Sequence, residues 1–206
     1  MFLFLAMPRP EGRGNINEKK MKKNIIRCPW CLKDELYIKY HDEEWGVPVH
    51  DDLKHFEFLI LETFQAGLSW NTILKKRENF KKAFEGFIPE KVAGYKEKKF
   101  LSLMKDAGII RNKMKIEAAI SNAKAFLAVQ KEFGSFDAYI WSFVKNKQVK
   151  NKWKSVYEVP PKTELSDKVS ADMKKRGFKF VGSTTIYAHL QAIGVVNDHL
   201  VGCFRY

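Results

Sequence analysis

Residues 51–70 read DDLKHFEFLILETFQAGLSW. Apolar residues recur there at the three- and four-residue spacing that places side chains on one face of an α-helix. The members of this stripe are Leu53, Phe56, Ile60 and Phe64. Asp51 or Asp52 stands where a capping residue belongs, because a short carboxylate side chain can accept a free backbone N–H of the first turn. The stretch therefore predicts an amphipathic helix that begins near residue 51.

Helical spacing continues along the rest of the chain, and no alternating pattern typical of β-strands competes with it. Ser69 stands before a second helix, and Pro89 fits the first turn of a short one. Further helices are predicted over residues 96–107, 112–133, 135–144 and 166–176, with a last long helix from about Ser183. The sequence thus predicts an all-α fold.

The length and composition bound the domain organisation. With 206 residues, 45% of them hydrophobic, the chain can bury one sizeable core. Residues 1–24 are rich in Pro, Gly, Asn and charged side chains, which is typical of a disordered extension. We expect a single domain over residues 25–206, either compact or bilobed, and Met21 is an alternative natural start.

The sequence also bears on the cellular compartment. No stretch approaches the ~20 apolar residues of a membrane span, and the apolar segment 1–7 is too short for a secretion signal and lacks its basic flank. Three cysteines, an odd number, do not indicate a secreted disulfide framework. We expect a cytoplasmic protein with no membrane partner.

The charge balance points to a polyanionic partner. Lys and Arg number 37 against 24 Asp and Glu, which gives a formal charge of +13 and a pI near 9.5. Nucleic acid is the leading interpretation of such an excess. The alternative is a solvated helix surface, since short lysine and arginine runs punctuate the amphipathic stretches.

Cysteine and histidine pairs near both ends of the folded region suggest a zinc site. Cys28 and His41 lie near its start, while His199 and Cys203 lie four residues apart near its end. On a helix, that spacing puts both side chains on one face, as a tetrahedral Cys2His2 site requires. The alternatives are ordinary buried cysteines and histidines, or a Cys28–Cys31 pair that binds zinc itself or acts in redox chemistry. Too little strand signal precedes Cys28 to favour a redox pair.

Aromatic residues and one carboxylate suggest a ligand pocket. Tyr37, Tyr40 and Trp45 are close together in the sequence, and Trp70 follows Glu62 by eight residues. Glu62 falls on an apolar helix face, where an unpaired carboxylate costs free energy unless it serves a ligand. We therefore predict a buried, ligand-facing Glu62. The alternative is a glutamate that points to solvent or caps a helix.

A glycine turn between the last two predicted helices suggests a phosphate contact. Gly182 can turn tightly and leave the backbone N–H groups of Ser183 and Thr184 free at the next helix N-terminus. Lys179 and neighbouring cations favour a DNA backbone there. An ordinary connection between helices is the alternative.

Several motifs together resemble the 3-methyladenine DNA glycosylase I family, in the order that the family has them. They are Cys28-Pro-Trp30, Tyr40-His-Asp-Glu-Glu-Trp-Gly-Val-Pro48, Glu62, Gln65-Ala-Gly-Leu-Ser-Trp70, Asp106-Ala-Gly-Ile-Ile-Arg111, Lys175-Arg-Gly-Phe-Lys-Phe-Val-Gly182, Asn197-Asp-His199 and Gly202-Cys203. The match covers nearly the whole chain from about Arg27.

The resemblance implies a helix-hairpin-helix DNA glycosylase fold and a structural zinc ion. The positions that match the family's zinc ligands are Cys28, His41, His199 and Cys203. This choice leaves Cys31 out of the site. The resemblance also implies an enzyme that acts on double-stranded alkylated DNA and hydrolyses the N-glycosidic bond of 3-methyladenine after base flipping. We expect this enzyme to be a monomer.

The family's base pocket carries over onto Glu62, Tyr40 and Trp70. Tyr37, Trp30 and Trp45 are expected as further wall, and Leu68 as the residue that enters the DNA stack. We expect Tyr40 and Trp70 to sandwich the base while Glu62 accepts a hydrogen bond from its amino edge. Glu62 is thus the residue to which we assign the chemistry.

Two departures from the wider superfamily qualify the resemblance. Phe180 stands where that superfamily usually has a glycine, so a differently shaped hairpin is expected. Its catalytic aspartate has only Asp198 as a nearby candidate, and we expect Asp198 to orient His199 or cap a helix. The rival functions are a non-catalytic DNA-binding module and a zinc hydrolase, which would need an open metal position.

Overall fold

The structure is a computed structural model that describes residues 25–206, so the extension predicted over residues 1–24 lies outside it. The described part is mostly helical, as predicted. Its helices are α1 Glu35–Glu43, α2 Asp52–Gln65, α3 Trp70–Ala83, α4 Pro89–Ala93, α5 Glu97–Lys105, α6 Lys113–Phe133, α7 Phe136–Ser142, α8 Glu164–Lys175 and α9 Ser183–Ala192. Short 3-10 turns span Pro29–Cys31, Glu85–Phe87 and Val156–Glu158.

The predicted helix starts are confirmed by capping hydrogen bonds. Asp51 accepts the Lys54 N–H at 2.8 Å, and Ser69 accepts the Thr72 N–H at 3.2 Å. Pro89 is the first residue of α4, where its missing N–H costs nothing. These signals are local in sequence, which is why they could be recognised without a structure.

The structure corrects four details of the predicted elements. Helix α8 begins at Glu164, and Ser166 completes a capping box with Thr163. Helix α9 has only 10 residues, so the predicted long last helix is wrong. Two parallel two-residue strands, β1 Val149–Lys150 and β2 Val196–Asn197, interrupt the helical chain. The chain after β2 forms turns rather than the helix assumed for the last two metal ligands.

Helix α2 runs through the centre of the core. It contacts α3, α6, α7 and α9, and most of its circumference is buried. Its buried apolar residues are Phe56, Phe58, Leu59, Ile60, Leu61 and Phe64. Leu53 was counted in the apolar stripe, but it is 49% exposed because it lies in the first turn, outside the core. Burial on this scale explains how α2 can hold a carboxyl group away from water.

The two ends of the described chain lie side by side. The Phe204 N–H donates to the Ile26 carbonyl at 2.9 Å, and the Gly46 N–H donates to the Gln191 carbonyl at 2.9 Å. The segment after α1 is thereby held against the last turn of α9. Among residues 25–206, the helices are too short or too polar to span a lipid bilayer.

Candidate active site

A cavity of about 350 Å³ opens between α1, α2, the start of α3 and α9. Aromatic side chains make up much of its wall, and four polar side chains reach it. The lining residues are Trp30, Tyr37, Tyr40, Trp45, Glu62, Gln65, Trp70, Val156, Val159, Ala188, Gln191, Asp198 and Leu200. The fold therefore brings together all six residues predicted for the pocket.

The aromatic rings of the wall contact one another in two groups. Trp30 lies at the centre of one group, with ring centroids 5.0 Å from Tyr37 and 4.9 Å from Trp45. The second group is Tyr40 and Trp70, whose centroids are 5.3 Å apart with planes tilted by 48°. A base between two rings needs about 3.5–4.0 Å on each side. The predicted sandwich is therefore absent from this pair, and a base can lie against either ring only at its cavity face.

Glu62 lies on α2 at the closed end of this cavity. Its side chain is 3% exposed, and its Oε2 atom has no hydrogen-bond partner among the described residues. Burial raises the pKa of the carboxyl group to about 8, because the charged form loses its hydration. The carboxyl group is therefore held toward its protonated form, and beside it the indole N–H of Trp70 has no partner among residues 25–206.

Tyr40 faces the same closed end from α1. Burial, and then the charge of Glu62, keep its phenol pKa well above the usual value. The hydroxyl group therefore remains a neutral hydrogen-bond donor or acceptor. Together these groups offer a flat, apolar ligand a few polar contacts and little water.

Leu68 lies on the turn that joins α2 to α3, next to the cavity. Its side chain is 39% exposed, and Gly67 before it adopts a positive φ of +77°. The buried Lys115 ammonium donates to the carbonyls of Phe64 and Ala66 at 2.8 and 2.5 Å. Sequence reasoning missed Lys115, since its partners are backbone atoms about fifty positions away. The start of the turn is thus held in place by Lys115, and the apolar side chain of Leu68 remains partly exposed.

The hairpin between α8 and α9 is held from the inside. The buried Asn122 amide accepts the Lys179 N–H at 2.7 Å and donates to the Lys179 carbonyl at 3.0 Å. Phe180 adopts a φ of +55°, so the chain keeps a left-handed residue where the superfamily usually has glycine. The departure in sequence is therefore absorbed as local strain at Phe180.

The first turn of α9 leaves backbone donors free at the end of this hairpin. Gly182 is its N-cap and supplies no side-chain cap. The hydroxyl of Ser183 is occupied by the hydroxyl of Ser166 at 2.8 Å, whereas Thr184 is exposed. The phosphate contact predicted here can thus use the backbone N–H groups, with the exposed Lys179 nearby.

A buried cluster at the chain ends brings together Cys28, His41 and Cys203. One ligand atom from each lies within 4.8 Å of the others. The two sulfur atoms accept backbone N–H groups of Leu200 and Arg205 at 3.4 Å. Burial raises the pKa of the Cys28 thiol to about 12. A bound cation would reverse that shift, so this group of three has the chemistry to hold a metal ion.

His199 lies beside this group of three without belonging to it. Its ring centroid is 4.8 Å from that of His41, and its Nδ1 atom contacts the Asn197 Oδ1 atom at 2.9 Å. Its Nε2 atom is buried and has no partner among residues 25–206. Cys31 is directed elsewhere, donating to the Cys28 carbonyl at 3.1 Å.

Asp198 has a different role from the two that we predicted. Its Oδ1 atom accepts from Asn151 and Trp153 at 2.6 and 2.8 Å, and its Oδ2 atom accepts from Tyr187 and from Gln191 at 2.6 Å. It neither orients His199, which Asn197 does, nor caps a helix. Asp198 instead ties the segment after β1 to α9 at the edge of the cavity.

These features define the class of protein. A helical hairpin, an exposed leucine beside a cavity, and aromatic walls around a buried acid are the parts that a helix-hairpin-helix DNA glycosylase uses to extract a base. Comparison with known proteins narrows the class. The family model described as methyladenine glycosylase matches residues 30–206, and the chain belongs to this family.

Individual relatives agree with that assignment. DNA-3-methyladenine glycosylase 1 of Escherichia coli (strain K12) is 49% identical over 180 residues, which are 87% of this chain and 96% of that protein. A crystal structure of 3-methyladenine DNA glycosylase I covers 87% of this chain and 98% of its own, with a TM-score of 0.84 and 48% identity. A variant of such an enzyme in complex with 3-methyladenine covers 87% and 96%, with a TM-score of 0.84 and 35% identity.

Proposed function

We propose that this protein removes 3-methyladenine from alkylated double-stranded DNA by hydrolysing the N-glycosidic bond after base flipping. The observation that carries the proposal is Glu62, a buried acid without an internal partner that faces an aromatic cavity of base size. Relatives that cover most of the chain bear the name of this activity. A solved neighbour binds the base itself.

The chemistry asks more for extraction and selection than for strong acid catalysis. An N3-alkylated adenine in DNA carries a positive charge and departs as a neutral base, so its glycosidic bond is already weak. Flipping costs a few kcal/mol of stacking and pairing. Leu68 offsets this cost by filling the gap in the duplex, and the aromatic wall offsets it by stacking on the extruded base at about 1–3 kcal/mol.

Glu62 acts on the cationic base in the dry end of the cavity. Its carboxyl group accepts a hydrogen bond from the exocyclic amino edge, and in its ionised form it favours the cation over neutral adenine. Tyr40 and Trp70 add attraction between their ring faces and the cation, worth ~2 kcal/mol when desolvated. Water then attacks the sugar carbon as the bond to the base breaks, the electron pair of that bond leaves with the neutral base, and the water gives up one proton to solvent as it becomes the sugar hydroxyl group.

We propose further that the chain-end cluster holds one structural zinc ion through Cys28, His41, His199 and Cys203. The fit rests on the histidine contacts: Asp42 and Asn197 each occupy an Nδ1 atom, at 2.7 and 2.9 Å. The Nε2 atom of His199 is then without a partner among residues 25–206, and the Nε2 atom of His41 lies 3.4 Å from both the Cys28 N–H nitrogen and the Cys203 sulfur, inside the cluster. Outer carboxylate and amide groups orient ligating histidines in this way. Four protein ligands would make zinc a cross-link without an open position for water.

We propose that DNA binds to the hairpin before α9 and to the turn that carries Leu68. The backbone of the damaged strand contacts the N-terminus of α9, where Gly182, Ser183, Thr184 and Lys179 lie, and Leu68 enters the stack of bases.

We also propose that residues 25–206 act as one monomeric domain in the cytoplasm. A sedimentation measurement on the purified protein tests the monomer, and mass spectrometry of the native protein tests whether residues 1–24 belong to it.

One assay tests the main proposal. Alkylated duplex DNA is incubated with the protein, and the released bases are identified by chromatography. Release of 3-methyladenine is expected, whereas DNA binding without any release would point to a non-catalytic module. Binding of free 3-methyladenine to Trp70→Ala tests the pocket separately, because an unchanged affinity would contradict stacking on that ring.

A further inference from the structure

Five lysines fall within ten residues in the segment that leads to the cavity. They are Lys145, Lys147, Lys150, Lys152 and Lys154, and all are exposed. The proposed activity assigns them no role. Three of them, Lys150, Lys152 and Lys154, alternate with inward-facing residues, and we call these three the lysine row.

Inward anchors fix the direction of the lysine row. The Asn151 N–H donates to the Asn197 carbonyl at 3.1 Å, and the Val201 N–H donates to the Trp153 carbonyl at 2.9 Å. The Asn151 and Trp153 side chains both donate to Asp198. Because successive side chains of an extended chain point to opposite sides, these inward contacts turn the row toward solvent.

The charges of the lysine row are not neutralised by nearby carboxylates. Among residues 25–206, the lysines in ion pairs are Lys39, Lys54, Lys75, Lys99, Lys113 and Lys162. Glu158 does contact Lys154, but it accepts the backbone N–H at 2.9 Å. The Lys150 ammonium lies 4.0 Å from the ring centroid of Tyr206, which steadies the side chain and leaves its charge intact.

The position of the lysine row ties it to the proposed substrate. Lys154 comes two residues before Val156, and Val156 and Val159 form part of the cavity wall. Between those two valines, Tyr157 is 95% exposed, which is unusual for a large aromatic side chain. Cations beside an exposed aromatic ring at the mouth of a base pocket are the combination that single nucleic-acid strands bind.

The spacing of the lysine row also fits the phosphodiester backbone of DNA. The chain is extended in β1 and bends at Lys154. Alternate residues of its extended part lie about 7 Å apart, which is comparable to the distance between successive phosphates on one DNA strand. A row with this repeat can place one ammonium at each of three neighbouring phosphates. A solvated surface without a partner would not need the repeat or the rigid anchors beneath it.

We propose that Lys150, Lys152 and Lys154 bind successive phosphates of the DNA strand beside the flipped nucleotide, in addition to the hairpin contact at α9. This inference rests on the proposed function, since it takes the cavity as the place that receives the base. It extends the DNA-binding surface to the side of the cavity formed by residues 149–159. The contact is electrostatic and reads no sequence.

The test compares two triple variants with equal charge changes. The first is K150Q/K152Q/K154Q. The control is K91Q/K96Q/K98Q, whose lysines are exposed and lie in or next to α4 and α5, which contribute no residue to the cavity. Binding to a duplex with a non-hydrolysable abasic-site analogue is measured over a range of salt concentrations. Each lost phosphate contact reduces the slope of log K against log salt by about 0.9.

The expected result is a slope that is smaller by about 2.7 for the row variant and unchanged for the control. Equal slopes for both variants would overturn the proposal. Affinity for free 3-methyladenine, unchanged in both, shows that the pocket is intact. If the triple variant fails to fold, each single variant should still reduce the slope by about 0.9. Failure of the proposed function would have a different signature: the parent protein would bind this duplex but release no base from alkylated DNA.

Discussion

At the scale of single residues, burial of the Glu62 carboxyl group is the most unfavourable feature of the candidate site. Burying a charged acid without a partner is unfavourable, and burial therefore favours the protonated form of Glu62, with a pKa of about 8. A cationic base would supply the missing counter-charge and lower that pKa. The residue is therefore poorly satisfied without substrate and well satisfied with it, which favours the charged base over neutral adenine.

The first prediction concerns excision by a Glu62→Gln variant. Glutamine keeps the size and the acceptor oxygen but cannot become an anion. A hydrogen bond to a charged group contributes about 1.5–3 kcal/mol, so excision of 3-methyladenine from duplex DNA should fall by about 10- to 100-fold. Glu43→Gln, on the exposed side of α1, is the control and should keep the parental rate. Equal rates for Glu62→Gln and the parent protein would remove Glu62 from the mechanism.

The second prediction concerns stability against pH. The folded protein keeps the Glu62 proton up to about pH 8, whereas the unfolded chain loses it near the ordinary value of 4.5. The unfolded state thus binds fewer protons in this window, and stability falls as the pH rises through it. Each pH unit corresponds to about 1.4 kcal/mol, so the whole window amounts to a few kcal/mol.

Glu62→Gln should remove this dependence. In thermal unfolding, its advantage over the parent protein should be absent near pH 4 and should grow toward pH 8. Glu43→Gln again serves as the control, because its carboxyl group is exposed to water. A constant difference between Glu62→Gln and the parent across the window would contradict the raised pKa.

At the scale of elements, the C-terminus of α2 links the candidate base pocket to Leu68, which we propose as the residue that enters the DNA stack. Glu62 lies in the last turn of α2, and the chain then turns through Gly67 to Leu68. A cation is favoured at a helix C-terminus, where carbonyl groups lack partners. Lys115 supplies it from α6 by contacting the carbonyls of Phe64 and Ala66.

The third prediction follows from that contact. Lys115→Met keeps much of the side-chain volume but leaves both carbonyls without a donor, so the turn that carries Leu68 should loosen. Excision from duplex DNA should fall more than excision from single-stranded DNA, which needs no wedge. Affinity for free 3-methyladenine should stay the same. Lys113→Met, two residues earlier and exposed, is the matched control. Equal losses on both DNA substrates would indicate general destabilisation instead of a misplaced wedge.

The elements that could be predicted are those specified by local chemistry. Asp51, Ser69 and Pro89 mark helix starts through contacts within one turn, and the structure has helices there. The segment from His199 to Cys203 has helical spacing, yet it forms turns. Contacts with distant residues determine its path, such as the hydrogen bond from the Val201 N–H to the Trp153 carbonyl.

The candidate site shows the same division. Glu62 could be predicted because a carboxylate is unusual on an apolar helix face, and the aromatic residues could be predicted because they lie in motifs that match the family. Lys115, Asn122 and Asp198 could not, since each acts on atoms far away in sequence. The residues next to Lys115 in the sequence do not indicate that its side chain donates to the carbonyl of Ala66. Contacts of this kind become visible only when the fold is known.

At the scale of the whole molecule, the two ends of the described region, residues 25–206, lie together. Cys28 precedes the first helix and Cys203 follows the last, and the cluster brings them together. Trp30 and Trp45 lie against the rings of His41 and His199, so one edge of the cavity is built on the cluster. Gly46 has a φ of +74°, and a β-carbon there would lie 2.8 Å from the His199 ring. The geometry of the base pocket therefore depends on how the ends are joined.

The last prediction concerns this closure. A zinc ion at the cluster would cross-link residues about 175 positions apart, and cross-links of long loops stabilise by roughly 4–5 kcal/mol in the chain-entropy account. Cys203→Ala, or chelation of the metal, should release one zinc ion per chain, lower the melting temperature by about 10–20 °C and weaken binding of free 3-methyladenine. Cys31→Ala is the matched control: it also removes a buried thiol, but one directed away from the cluster, so it should keep the zinc. A protein purified without metal that melts at the same temperature and binds the base as tightly as the zinc form would separate the pocket from the cluster. Loss of zinc from Cys31→Ala would instead place Cys31 among the ligands, in place of one of the two histidines.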